Sequence, residues 1–134
     1  AFTRSILVEI GHRSWSMSVV LTDSGTIQQL NRDFRGKDYP TDVLSFSQSE
    51  GAAVPGSTDK SEPVEAGDLV ICLDVVRANA GRFGVSFEEE IRRVTIHGIL
   101  HLSGQNHITN DVDKEAMLQW QEQLVLQSQK EKLF

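Results

Sequence analysis

The sequence predicts an α+β fold, a small mixed β-sheet of about four strands with about four to five helices packed on it. Three observations predict it. Strand-like apolar runs fall mainly in the first half of the chain, and capped helical patterns mainly in the second. A nearly all-apolar run, Leu69 to Leu73, reads as a central strand buried on both faces. The chain has 134 residues, 39% hydrophobic and 24% charged, the size and composition of one globular domain spanning residues 1–134.

The elements follow in order. Arg4 to Ile10 reads as a strand, and so does Trp15 to Thr22, where Trp15, Met17, Val19 and Leu21 alternate with other residues. Asp23-Ser24-Gly25 opens a helix whose apolar stripe is Ile27, Leu30 and Phe34, with Gly36 as its stop. Thr41 to Phe46 is a short strand after Pro40. Residues 48–66 collect Ser, Gly, Pro, Asp, Lys and Glu, and are expected to form a flexible loop. Asp68 to Leu73 is the central strand. Asp74 starts a helix through Val75, Ala78 and Phe83, closed by Gly84. Ser86 with Glu89 forms a capping box for a helix that runs to about Leu102. A last helix begins near Asn110-Asp111, with Met117, Trp120 and Leu124 on one stripe.

Composition narrows the function classes. The formal net charge is −6, which argues against a broad, sequence-independent grip on nucleic acid. A local basic groove remains compatible with it, because a dication and clustered arginines can make one inside an acidic protein. The single cysteine, Cys72, excludes an internal disulfide and suits a reducing, cytoplasmic compartment. No segment approaches the ~18 apolar residues that span a membrane. The opening Ala1-Phe2-Thr3-Arg4-Ser5 is not expected to act as a signal peptide.

Three of the four histidines fall between residues 97 and 107. His97 and His101 are four apart, so they share one helix face. Gly104 supplies a residue able to end the helix in a left-handed conformation, and the chain can then return His107 to the same point. A lone pair at this spacing is most often solvated or satisfied within a core. The third histidine beyond a glycine turns the pattern toward a metal. Three imidazoles with a fourth position open is the design of a catalytic zinc site. Zinc so held keeps its full charge and acidifies a bound water to a pKa of about 7.

The spacing equals that of the metzincin proteases, which place a glutamate base directly after the first histidine. Here that residue is Gly98, so the peptidase reading lacks its central group. Arg35 and Lys37 stand at a helix C-terminus, where the dipole favours cations. For Lys37 and Asp38 the expectation is a solvated helix end and turn. His12, beside Gly11, reads as a surface residue.

Four blocks occur in register: Asn31-x-x-Phe34-Arg35, Pro40 through Phe46, Gly67 through Ile71, and His97-Gly98-x-Leu100-His101-Leu102-x-Gly104-x-x-His107. In these blocks the chain, from about residue 5 to 130, resembles the YbeY family of metal-dependent endoribonucleases. The resemblance implies one zinc ion per chain on His97, His101 and His107, and an Arg35 that engages RNA phosphate beside it. It also implies action on ribosomal RNA, notably in maturing the small-subunit 3′ end, and in ribosome quality control. Implied partners are the small ribosomal subunit and its assembly factors. One departure is Gln105-Asn106, where the family commonly has an aromatic residue and Asp before the third histidine.

Two readings of different class follow. The first is a zinc-dependent endoribonuclease preferring single strands, with Asp42 and Asp68 as candidate general bases. The second is a ribosome-assembly factor in which metal holds the C-terminal half together. The first expects RNA cleavage lost on removal of a histidine or Arg35; the second expects none by the intact protein.

Overall fold

The computed structural model describes residues 2–12, 15–47, 64–103 and 111–129. Its elements are α1 (Phe2–Glu9), β1 (Trp15–Thr22), α2 (Ser24–Arg35), β2 (Val43–Ser47), β3 (Val64–Cys72), α3 (Leu73–Phe83), α4 (Phe87–Leu102) and α5 (Asp111–Ser128). The α+β class is as expected. Among the described residues the sheet has three strands where about four were expected, because the run from Arg4 to Ile10 is mostly helix α1. Phe2, Ile6 and Leu7 are its buried residues, spaced as one helical face. Val64 to Ala66, expected in the loop, belong to β3; the rest of the loop, residues 48–63, lies outside the described residues.

The strand order is β1-β3-β2, with β1 parallel and β2 antiparallel to β3. β3 is therefore central, and its side chains serve both faces. Leu69 and Ile71 turn toward α4, Leu69 in a core with Ile96, Ile99 and Leu100, Ile71 in one with Val76, Ile91 and Val94. Val70 and Cys72 turn the other way, onto Ile27 of α2. Burying each such side chain contributes about 1.5–3 kcal/mol. Cys72 is a free, fully buried thiol.

Gly67 breaks the β1–β3 register: Ser16 pairs with Glu65 but Met17 with Gly67, leaving Ala66 extra. Its φ of 147° is open to glycine, and a Cβ there would run into the Phe46 carbonyl. α4 lies across β2 and β3 and also packs on α1, α3 and α5. It starts as expected, with Ser86 Oγ accepting from Glu89 N at 3.0 Å. The reciprocal arm of the capping box is replaced, since the Glu89 carboxylate accepts from Arg93 instead.

The apolar stripes differ in detail. On α3 the buried residues are Val76 and Ala80, while Phe83 is 60% exposed. On α5 they include Met117, Leu124 and Val125, with Trp120 at the margin and Gln121 inside. Among the described residues no helix is long and apolar enough to cross a membrane.

Candidate active site

The site is built where the C-terminal end of α2, the turn after it, β2 and the C-terminal part of α4 converge. α2 is fixed at both ends. Asp23 caps it by accepting from Thr26 N at 2.7 Å, a bond that holds the Asp23 carboxyl below the usual range. At the other end Gly36 adopts φ 71°, and the N–H groups of Gly36 and Lys37 reach back to Arg32 O and Asn31 O. Asn31 is only 3% exposed; its Nδ2 donates to Tyr39 O at 2.9 Å and ties the turn to the helix. Gln28 Nε2 holds the Asp38 carboxylate at 3.1 Å.

This turn sets Arg35 against β2. Its Nη2 donates to Ser45 O at 2.6 Å, and its guanidinium lies 5.1 Å from the centre of the Phe46 ring. Ser45 also faces α4, donating from Oγ to Gly98 O at 3.2 Å. The approach is close because position 98 has no side chain. A Cβ there would stand 2.6 Å from Leu69 Cδ2. The position where a metzincin carries its base is thus pressed onto the sheet, with no room for a glutamate.

His97 and His101 lie on one face of α4, their ring centres 4.3 Å apart and tilted by 52°. Both border a cleft of about 550 Å³ that Arg35, Lys37, Tyr39 and Asp42 also line. Burial, and secondarily the neighbouring His97, lowers the pKa of His101, favouring the neutral ring that a metal requires. His97 Nδ1 lies 2.7 Å from Gln121 Oε1 on α5. Two imidazoles on one cleft are the donor chemistry that zinc takes.

The structure therefore brings Arg35, His97 and His101 together. His107, together with Gly104, Gln105 and Asn106, lies outside the described residues. Of the two candidate bases, Asp42 borders the cleft and Asp68 is not among its lining residues. Lys37, expected as a solvated helix end, is exposed but borders the cleft as well. His12, expected at the surface, is half-buried and stacks on Trp15 with ring centres 3.7 Å apart, and its pKa is lowered by burial. The sequence reading missed Tyr39, Ser45 and Gln121. Gln121 had a visible signal, a polar residue four after Met117 and three before Leu124 on the buried stripe.

Known proteins are similar to this chain over most of its length. Endoribonuclease YbeY of Borreliella burgdorferi (strain ZS7) is 42% identical over 134 residues, covering 96% of this chain and 84% of that protein. Endoribonuclease YbeY of Treponema denticola is 39% identical over 126 residues, covering 94% and 79%. The solution structure of a Thermotoga maritima protein superposes with a TM-score of 0.58 at 32% identity, covering 92% of this chain and 76% of that one. The family model described as Endoribonuclease YbeY matches residues 3–129, nearly the whole chain, and on that match the chain belongs to the YbeY family.

Proposed function

We propose that this protein is a zinc-dependent endoribonuclease that cuts single-stranded RNA and acts in ribosomal RNA processing, including maturation of the small-subunit 3′ end and ribosome quality control. The observation that carries this reading is one cleft bordered by His97, His101 and Arg35 together. His97, His101 and His107 would hold the zinc, which when bound supplies Lewis acidity toward a phosphoryl oxygen and lowers the pKa of water to about 7. Arg35 and Lys37 attract the phosphate and offset the charge that grows on its oxygens. Arg35 is held in place by Ser45 O, so it need not reorganise during reaction. Tyr39, 52% exposed at the cleft, offers a face on which an unpaired base can stack. Among the described residues Asp42 is the carboxylate bordering the cleft, and on this reading it would accept a proton from the attacking hydroxyl.

Partners on this reading are ribosomal RNA, the small ribosomal subunit and assembly factors, met in the cytoplasm. The test is cleavage of a labelled ribosomal RNA 3′-end fragment by zinc-loaded protein, beside His101→Ala and Arg35→Gln. Cutting by the parent that both folded variants lose supports the reading. A 2′,3′-cyclic phosphate product assigns the ribose hydroxyl as nucleophile, and a linear phosphate assigns water. If zinc-loaded parent leaves both the fragment and intact ribosomal particles uncut, the protein is instead a ribosome-assembly factor with a metal-stabilised fold.

A further inference from the structure

Gln121 is 5% exposed on the buried stripe of α5, a place where an aliphatic side chain would ordinarily pack. Its two amide ends have different neighbours. Oε1 lies 2.7 Å from His97 Nδ1, and Nε2 lies 3.3 Å from Glu122 Oε2. A carboxylate only accepts, so the nitrogen end belongs to Glu122 and the oxygen end to His97. Glu122 is itself pinned by Arg93, whose Nε reaches Oε2 at 2.9 Å and whose Nη2 reaches Oε1 at 2.9 Å. Arg93 is in turn anchored along α4 by Glu90 at 2.8 Å and Glu89 at 3.2 Å. The direction of the amide is therefore set by a chain of ion pairs leading away from the cleft. An acceptor facing Nδ1 requires the proton on Nδ1, and in a neutral imidazole the lone pair then resides on Nε2.

We propose that Gln121 is a positioning residue that holds His97 as the Nδ1–H tautomer, leaving Nε2 bare to bind a metal, and that Glu122 and Arg93 fix the direction in which it acts. The reversed amide would present N–H to Nδ1, send the ring proton to Nε2 and block that nitrogen. The purpose of the device rests on the metal reading above, but the tautomer does not.

The test uses the full chain with ¹⁵N-labelled histidine, His97 being assigned by its loss in His97→Asn. In metal-free parent, NMR should show the proton on Nδ1. Gln121→Leu keeps the volume but removes the acceptor, and should move the proton to Nε2 or to a mixture. Gln121→Glu keeps the acceptor and should keep Nδ1–H. Competition for zinc alone against a chromophoric chelator should show affinity falling about 10–100-fold in Gln121→Leu, and restored to within a few-fold in Gln121→Glu. A purely structural role would move the melting temperature and neither of these. An Nε2–H tautomer in the parent overturns the proposal even if the leucine variant does not fold. So does a folded Gln121→Leu with unchanged tautomer and zinc affinity. A parent that keeps Nδ1–H yet binds no zinc would sink the metal reading and leave the tautomer assignment standing.

Discussion

Gly98→Ala sets two known effects against each other at the centre of the site. Alanine is the better helix former by about 0.8–1 kcal/mol, so on propensity alone the change stabilises α4. Its Cβ, however, would lie 2.6 Å from Leu69 Cδ2, 3.3 Å from Leu69 Cδ1 and 3.4 Å from Ser45 Oγ. Carbon atoms in contact prefer ~3.5–4.0 Å, so the shortest approach is about 1 Å too close. Leu69 is fully buried and has little space into which to turn. Overpacking of this kind costs about 1–3 kcal/mol. The packing cost wins, with a net loss of about 1 kcal/mol. On a chain of this size that lowers Tm by about 3–5 °C. Urea titration followed by Trp15 and Trp120 fluorescence reads the change. The same substitution in a Leu69→Ala background has no methyl to meet, so there it should raise stability by up to ~1 kcal/mol. If Gly98→Ala stabilises the parent as much as it stabilises that background, the close helix–sheet approach is not what position 98 serves.

Three further outcomes are expected. Arg35→Gln should lower kcat on single-stranded RNA by about 10²–10³-fold, while its unfolding free energy from urea titration stays within about 0.5 kcal/mol of the parent because the side chain is exposed; equal activity would remove Arg35 from the reaction. Asn31→Ala leaves Tyr39 O without its buried donor and should cost about 1–3 kcal/mol, with KM for RNA rising as the Lys37–Tyr39 turn loosens; denaturation and steady-state kinetics check both. The Asp23 carboxyl is held below its ordinary pKa by its bonds to Thr26. Its share of stability is therefore present above the unfolded-state value and fades as pH falls through the lower folded one. Asp23→Ser, a cap that does not titrate, should lose less stability than the parent over that acidic window, and parallel pH curves would contradict this.

What was legible in the sequence was local. Ser86, the Gly36 and Gly84 stops and the Trp15–Thr22 alternation each state their structure within a few residues, and the elements they mark are present. His97 and His101 share a face because helical geometry dictates it, and that face borders the cleft. The run from Arg4 to Ile10 misled because its β-branched residues suit a strand, while the helical face is completed by Phe2, outside the run. The residues that finish the site depend on contacts far along the chain. Gln121 meets His97 across 24 positions, and Ser45 meets Gly98 across 53. No local pattern encodes such a meeting, although a glutamine amid buried aliphatics marks where one must occur.

Ser45 gives the molecule a temporal order as well as a spatial one. Its hydroxyl holds the α4 backbone while its carbonyl holds Arg35, so a single residue joins the cation to the helix of imidazoles. The first of these contacts spans 53 positions, so it forms only when a large loop closes, whereas the second spans 10. A chain still being synthesised therefore displays Arg35 and its turn long before α4 exists to face them. The cleft is complete only when the sheet has docked on α4, and any activity housed there is withheld until the fold is nearly finished.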